Sequence, residues 1–207
     1  MAALEMHLGS EFFAAIDLSN FFGTVGRSKI VRSLKRLGFT YKEAGEIASA
    51  STVRDGGRAF VPYGFVQSPL LASIALAESY LGRQLAGLRR KGVKVSLYVD
   101  DLVLSHVDDE ATLSEAVDTL VEAATISGFL VNGAKLQRPS RTVVAFNIRL
   151  SHGRLELMPD RLLDFRQRLA GSGPDASAMA TISYVDMIDV RQGDILRAEV
   201  GLAPVSP

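Results

Sequence analysis

The 207-residue sequence contains no cysteine, which excludes disulfides and zinc sites built on thiolates. It also lacks an apolar run of about 18 residues, the length that a membrane-spanning helix requires. The first ten residues, MAALEMHLGS, have neither the basic start nor the apolar stretch of a secretory signal peptide. The absence of cysteine fits a reducing cytoplasm without requiring one, and no membrane contact is expected. The length suits one compact domain, or one domain with a small appendage.

Net charge is absent as well, because 23 Lys and Arg balance 23 Asp and Glu. The charges are nevertheless segregated along the chain. Basic residues are concentrated at 27–42, 89–94 and 135–141, whereas acidic residues are concentrated at 108–122. Segregation of this kind is typical of a protein with one phosphate-facing side. Solvent-exposed helix faces would produce it equally well, so charge alone leaves both interpretations open.

Hydrophobic periodicity predicts strands and helices in the order of an α+β fold, with helices packed on one face of an antiparallel sheet. A capping box of Thr40 with Glu43, and Ser68 followed by Pro69, indicate where two helices begin. From Gly171 onward we expect a linker and a last short segment. The predicted helices are 28–37, a short one from Thr40, 68–92 and 110–127, and the predicted strands are 12–18, a hairpin at 93–104 and a second hairpin at 142–158.

Adjacent carboxylates occur at the tip of the first predicted hairpin, in the stretch LYVDDLVL that contains Asp100 and Asp101. The similar pair ending at Asp109 precedes a helix, so Asp109 is predicted as its N-cap. Asp186 follows Tyr-Val as well, but without a second carboxylate beside it. Neighbouring carboxylates repel each other, and a bound cation removes that cost. The oxygen ligands of Asp100 and Asp101 suit Mg²⁺.

A third carboxylate, Asp17, lies at the end of the first predicted strand in an otherwise apolar run. If that strand lies beside the hairpin, Asp17 and Asp100 could share two metal ions about 3.5–4 Å apart, as in phosphoryl-transfer sites. Alternatively, Asp17 caps the turn at Ser19 and Asn20. Spacing alone leaves both roles open.

Five segments then resemble, in the same order, palm motifs A to E of reverse transcriptases. They are IDLSNFF, VPYGFVQSP, LYVDDLVLS, GFLVNGAKL and VVAFNIRL. The likeness runs from Phe12 to Leu169 and is greatest to the bacterial group that includes retron and defence-associated enzymes. It implies a right-hand polymerase palm of the ferredoxin-like type at 1–158 and a thumb-like helical segment with a tail at 159–207. A nucleotide cyclase also pairs carboxylates on such a sheet, but motifs B, D and E would then have no role.

The resemblance implies that Asp17, Asp100 and Asp101 are catalytic metal ligands, joined by the Leu18 carbonyl. It implies two Mg²⁺ ions, with Mn²⁺ as a substitute. Lys135 matches the motif D lysine, which would neutralise or protonate the departing pyrophosphate, although a solvated surface lysine is the alternative.

Nucleotide binding is implied for Phe22, Tyr63, Gly64, Gln67 and, again, Lys135. Phe22 stands where the family keeps an aromatic ring beneath the incoming sugar, which implies a preference for deoxynucleotides, although one of the two adjacent phenylalanines is expected in the core. Gly64 would let the backbone approach the nucleotide. Tyr63 replaces the usual glutamine, so the nucleotide contacts differ from the family pattern here.

The implied activity is RNA-directed DNA synthesis with an RNA template, a DNA or RNA/protein primer and deoxynucleoside triphosphates. The hairpin at 143–158 would be the primer grip. Family members carry a fingers subdomain before motif A, whereas only Met1 to Glu11 precede it here. We therefore expect a partner protein or a structured RNA to replace the fingers. The alternative is a fingerless palm that is inactive alone. The resemblance also suggests a bacterial cytoplasmic protein in phage defence.

Overall fold

The computed structural model describes residues 2–205, which form ten α-helices, one 3₁₀ helix (Arg89–Lys91) and ten strands, and it confirms the predicted α+β class. The helices are α1 (Ala2–Glu5), α2 (Phe21–Thr24), α3 (Arg27–Arg36), α4 (Tyr41–Ala50), α5 (Ser68–Ala77), α6 (Tyr80–Leu88), α7 (Glu110–Ile126), α8 (Pro159–Leu169), α9 (Ala176–Asp186) and α10 (Val190–Glu199). The strands are β1 (Phe12–Ser19), β2 (Val53–Asp55), β3 (Arg58–Phe60), β4 (Lys94–Tyr98), β5 (Asp101–His106), β6 (Leu130–Val131), β7 (Gln137–Ser140), β8 (Thr142–Ala145), β9 (Ile148–Ser151) and β10 (Arg154–Leu157).

The central sheet has five strands and is antiparallel throughout, in the order β4-β5-β1-β6, with β7 also paired to β1. Strand β1 is buried on both faces. Ala14, Ile16 and Leu18 belong to one hydrophobic core, and Phe13 and Ala15 belong to a second. Burial on both faces explains why this strand is an almost continuous apolar run rather than an alternating one.

The two cores lie on opposite faces of the sheet, because successive side chains of a strand point to opposite faces. The first core contains the inward faces of α3, α5, α6 and α7. The second core is covered by the β8-β9-β10 sheet and by helices α8, α9 and α10. Helices were expected on one face only, and the structure adds this second layer.

The predicted single helix at 68–92 is wrong, since it is interrupted after Ala77. The Ser79 side chain accepts a hydrogen bond from the Gly82 N–H and caps α6 as a separate helix. A Cβ on Gly82 would overlap the backbone carbonyls at the end of α5, so a glycine is needed for this close approach. Ser68 is not the N-cap of α5 either. Gln67 holds that position, and the Ser68 hydroxyl donates to the Pro62 carbonyl at 2.7 Å.

The tail beyond Gly171 is more ordered than a linker with a short last segment. Helices α9 and α10 pack against each other and supply Ile182, Val185 and Leu196 to the second core. The Arg197 guanidinium in α10 pairs with Asp186 and also with Asp194. The polar and small-residue pattern of α9 concealed this packing. The predicted domain boundary at residue 158 stays a prediction.

A buried polar network attaches the N-terminal segment to the sheet. The His7 imidazole is fully buried and hydrogen bonds to Ser105 Oγ at 2.7 Å and to Ser96 Oγ at 2.9 Å. Ser105 in turn donates to Ser10 at 2.9 Å. Within residues 2–205, no helix is both long and apolar enough to cross a membrane.

Candidate active site

The adjacent carboxylates lie at the tip of the β4-β5 hairpin, as the sequence predicts. Tyr98 pairs with Asp101, so Val99 and Asp100 form a two-residue turn. Val99 adopts φ 58°, a left-handed conformation that is unusual for a β-branched residue. Such a conformation costs on the order of 1–3 kcal/mol and persists only where the surroundings enforce it. The hairpin therefore holds Asp100 and Asp101 in a defined place at a cost in stability.

Asp17 lies directly opposite Asp101, because the two residues are register partners in the β1-β5 pair. The next residue, Leu18, donates its N–H to the Asp100 carbonyl at 2.9 Å. The sheet thus brings together the three aspartates that the sequence singled out. The alternative role of Asp17 as a turn cap is not observed in the described part of the chain, where its carboxylate faces Lys135 instead.

Lys135 also reaches this cluster. Its Nζ donates to Asp17 Oδ2 at 3.1 Å, and the Asn132 N–H donates to the Asp17 carbonyl at 2.9 Å. The hydrogen bond and the charge of Asp17 raise the pKa of Lys135. Lys135 is mostly exposed, whereas the Asp17 side chain is largely covered. The exposed ammonium group of Lys135 therefore lies against the largely covered carboxylate of Asp17.

Asp101 is poised between its charged and neutral forms. Burial raises the pKa of Asp101 from 3.8 to about 6, and the charges of Asp100 and Asp17 act in the same direction. Lys135 lowers it, but by less than these effects raise it. Mutual repulsion of this kind is what a bound cation would remove.

The carboxylate oxygens suit a hard divalent cation, although the described residues do not provide a complete coordination shell. Within residues 2–205, no group of three or more His, Cys, Asp or Glu side chains is close enough to hold a metal ion. Mg²⁺ commonly uses one or two carboxylates and completes its shell with water and substrate phosphates. Asp17 and Asp101, which face each other, and the adjacent Asp100 supply a donor set of that type.

A cavity of about 480 Å³ opens beside the aspartates. Asp17, Asp101 and Lys135 line one side of it, and the tip of the β8-β9 hairpin lines the other. That tip is a two-residue turn of Phe146 and Asn147, both with positive φ of 56° and 61°. The cavity therefore lies between the carboxylates and the segment expected to be the primer grip.

Three residues around this cavity were missed by sequence reasoning. The Phe146 ring packs edge-on against Tyr98, with centroids 5.5 Å apart. The Gln137 amide donates to the Val144 carbonyl at 2.7 Å and accepts from the Val144 N–H at 2.8 Å, which ties the hairpin to the central sheet. Tyr98 could have been noticed beside Asp100, but no signal in the sequence identifies the partners of Phe146 and Gln137.

The two adjacent phenylalanines have different surroundings. Phe21 is fully buried and packs against Phe129 with centroids 5.7 Å apart. Phe22 instead meets the Tyr63 ring edge-on at 4.8 Å, and Tyr63 is 68% exposed. Both phenylalanines belong to the first hydrophobic core, and Phe22 also contacts an exposed aromatic ring of motif B.

The remaining motif B residues lie at the start of α5. Gly64 adopts φ 88°, a backbone conformation that favours glycine, and an added Cβ there would meet no other atom within 4 Å. Gln67 is the N-cap residue of α5, and its side-chain amide lies 3.4 Å from Ser51 Oγ. The nucleotide-binding roles of Gly64 and Gln67 stay predictions.

Comparison with solved structures shows a polymerase fold. The foamy viral protease-reverse transcriptase in complex with RNA/DNA hybrid aligns with a TM-score of 0.53 at 17% identity, over 81% of this chain and 19% of that chain. Telomerase from Candida albicans, in complex with a fragment of telomeric RNA, aligns with a TM-score of 0.53 at 10% identity, over 94% of this chain and 42% of that chain. The chain thus spans less than half the length of either protein.

No curated protein matches the sequence significantly. The family profile described as reverse transcriptase (RNA-dependent DNA polymerase) matches residues 2–148, which is more than two thirds of the chain. This span holds the aspartates at the hairpin tip, Asp17 and Lys135. The chain belongs to the reverse transcriptase family.

Proposed function

We propose that this protein is an RNA-directed DNA polymerase, which adds deoxynucleotides to a primer annealed to an RNA template. The observation that carries the proposal is the pairing of Asp17 with Asp101 across β1 and β5, with Asp100 in the adjoining turn. Family membership supports the reaction class, and this geometry supports the choice of residues.

The chain's own residues position the reacting groups. Asp17, Asp100 and Asp101, together with the Leu18 carbonyl, would hold two Mg²⁺ ions, for which Mn²⁺ could substitute. When bound, such ions activate the primer hydroxyl and stabilise the negative charge that develops on the phosphates. Lys135, which is exposed and adjacent to Asp17, would turn from that carboxylate to the departing pyrophosphate.

The β8-β9 hairpin would position the primer end. Its tip, Phe146 and Asn147, lines the cavity opposite the carboxylates, and Gln137 fixes the hairpin to the sheet. On the other side of the site, Phe22 and Tyr63 would contact the incoming nucleotide, and Gly64 with Gln67 would shape the backbone beside it. A ring under the sugar disfavours a 2′-hydroxyl, so deoxynucleotides are the expected substrates.

Primer extension tests this assignment. On an RNA template with a DNA primer and Mg²⁺, Asp101→Asn should lower deoxynucleotide incorporation by on the order of 10²–10³-fold, because a carboxylate ligand of the ions that stabilise the phosphate charge is lost. The matched control is Asp108→Asn, which removes the same charge from the other Val-Asp-Asp sequence and should retain activity. The same assay with ribonucleotides measures the sugar preference.

Circular dichroism should show both variants folded. Normal extension by Asp101→Asn would contradict the proposal, and so would an equal loss in the two variants.

The alternative is a palm that works only in complex with a partner protein or a structured RNA. Exposed apolar side chains in motif B and in the first turn of α5 favour it, since Tyr63, Phe65, Val66 and Leu70 all face solvent and Val66 is 96% exposed. Contiguous exposed apolar surface commonly marks an interaction site. Extension by the purified chain alone would exclude this alternative.

The resemblance of the motifs to retron and defence-associated enzymes supports a bacterial cytoplasmic role in phage defence. Expression of the gene with its neighbours in a phage-sensitive bacterium would test that role. Plaque numbers should fall with the wild-type sequence and not with Asp101→Asn.

A further inference from the structure

The zero net charge conceals a strong polarity along the chain. Residues 27–94 contain thirteen Lys and Arg against four Asp and Glu, a net charge of +9. The rest of the chain contains ten against nineteen and carries −9. Opposite charges could still neutralise each other in space, so their contacts decide whether this polarity survives folding.

It survives, because the cations of residues 27–94 form no ion pairs. Within residues 2–205, every lysine and arginine from Lys135 to Arg197 is ion-paired, whereas none between Arg27 and Lys94 is. The basic stretch at 135–141 is therefore neutralised by Asp17, Asp118 and Glu11. The stretch beginning at Arg27 keeps its full charge.

These unpaired cations line two adjoining cavities. The larger, of about 480 Å³, lies between the first turn of α3 and the β2-β3 hairpin and has no acidic residue in its lining. The smaller, of about 200 Å³, lies where α3 meets the α5-α6 junction, and Glu78 is the acidic residue in its lining. Lys29 and Arg32 line both, so the cavities form one groove. We call it the basic groove; its cations are Arg27, Lys29, Arg32, Arg36, Arg54, Arg58 and Arg83.

The groove is elongated. Lys29, Arg32 and Arg36 are spaced as i, i+3 and i+7, so they share one face of α3. Helix α3 has ten residues and is therefore about 15 Å long. A nucleic-acid strand places a phosphate about every 3.4 Å of a double helix, so three or four phosphates fit along this face. The groove shares no lining residue with the cavity beside the aspartates.

We propose that the basic groove binds the phosphate backbone of an RNA segment that does not pass through the catalytic cleft. Arg32, Arg54 and Arg58 are exposed, and their side chains make no hydrogen bond within residues 2–205, so their guanidinium groups are available to phosphate oxygens. The lining of the larger cavity offers no large apolar side chain to insert into a bilayer, which favours nucleic acid over a membrane surface. The contacts are with phosphates, so recognition is independent of sequence.

The neighbouring cations of the basic groove repel one another, and a bound polyanion would reduce this repulsion. Burial and, to a smaller extent, the charge of Arg32 together lower the pKa of Lys29 to about 8. Like charges are thus held together without a carboxylate between them. The choice of RNA as the ligand rests on the proposed polymerase function, but the binding itself can be measured without catalysis.

Fluorescence anisotropy with a labelled single-stranded RNA of about 20 nucleotides tests the groove. The test variant is Arg32→Gln/Arg54→Gln/Arg58→Gln in the full chain. The matched control, Lys35→Gln/Lys42→Gln/Arg90→Gln, removes three unpaired cations from the same part of the chain but outside the groove. The test variant should bind on the order of tenfold more weakly near 0.1 M salt. Its slope of log affinity against log salt should fall by about two, since each single-strand phosphate contact contributes about 0.7.

The control should stay within about twofold of the wild type, and Asp101→Asn should bind RNA normally while failing to extend a primer. Equal losses of RNA affinity in the two triple variants would show that binding depends only on general charge attraction. That result would contradict the proposed groove. Loss of RNA binding in Asp101→Asn alone would place the RNA in the catalytic cleft and also overturn it. Groove-dependent binding to phosphatidylserine vesicles without groove-dependent binding to RNA would assign a membrane surface instead.

Discussion

The cations of residues 27–94 and those of residues 135–197 have opposite surroundings in the same fold. In the first region, lysines and arginines project without carboxylate partners, around helices α3 to α6. In the second, each one meets an aspartate or glutamate, and Arg197 meets two. The first region keeps its charge available for a ligand, and the second uses its charge to hold the hairpin layer and the C-terminal helices.

Neighbouring titratable groups show the same contrast. Burial and, to a smaller extent, a nearby cation lower the pKa of Lys29 in the unpaired region to about 8 and that of His7, which lies outside the region but near Lys94, to about 4. In the paired region acidic partners raise the pKa values of Arg191 and Arg197. The cations of residues 27–94 are therefore available for binding, whereas those of residues 135–197 stabilise the fold.

The largest expected effect concerns His7 and pH. Its pKa in the folded chain, about 4, lies below the ordinary 6.5, so the unfolded chain binds the extra proton between these values. Stability from this group is complete above pH 6.5 and is lost as pH falls toward 4, by up to about 3 kcal/mol. Urea unfolding of the wild type and of His7→Gln between pH 4.5 and 7 measures it.

The difference between the two proteins isolates His7, because the raised pKa of Asp101 acts in the opposite sense in both. His152→Gln serves as the control and should keep the wild-type pH dependence. A wild-type curve parallel to that of His7→Gln would show that the buried network does not exclude the proton.

A smaller effect is expected from breaking a pair in the second region. Arg197→Gln removes the guanidinium that faces Asp186, and both side chains are largely covered. Removing one partner of a buried pair costs about 3–5 kcal/mol, and partial exposure of Asp186 reduces this to about 2 kcal/mol. Arg32→Gln, which breaks no pair, should change the free energy of unfolding by less than about 0.5 kcal/mol. Equal destabilisation by the two substitutions would remove the distinction between the regions.

The smallest effect concerns salt. Raising NaCl from about 0.05 to 0.5 M screens both attraction and repulsion between exposed charges. Amide hydrogen exchange should then slow in α3, where like charges repel, and quicken in α9 and α10, where opposite charges attract. Each change should stay below about 1 kcal/mol, the usual range for surface pairs. If added salt changed the exchange rates of α3 and of α9 and α10 in the same direction, the contrast between the two regions would be contradicted.

Local patterns predicted the elements on which the active site depends. Alternation around a polar tip indicated the β4-β5 hairpin, the capping box of Thr40 with Glu43 gave the start of α4, and the N-cap Asp109 gave the start of α7. The convergence of Asp17 with Asp101 followed only from the assumption that their strands are neighbours, which the register confirms. The metal and nucleotide roles of these residues stay predictions.

Other features depend on contacts that no local pattern encodes. The break between α5 and α6 arises from close backbone approach at Gly82, which periodicity cannot distinguish from a continuous helix. The packing of α9 and α10 depends on Ile182 and Leu196 meeting a hairpin layer distant in sequence. Ion pairing is equally non-local, since the neutralised and the unpaired basic stretches look alike in sequence.

The pairing of Asp17 with Asp101 also has a consequence for biosynthesis. These residues are 84 positions apart, so the first aspartate leaves the ribosome well before its neighbour has been translated. Closing so long a segment is entropically slow compared with forming the helices between them. Any nascent or truncated chain that ends before β5 would therefore carry the cations of the basic groove, but neither the complete groove, which Ile126 and Ser127 also line, nor a complete reaction centre.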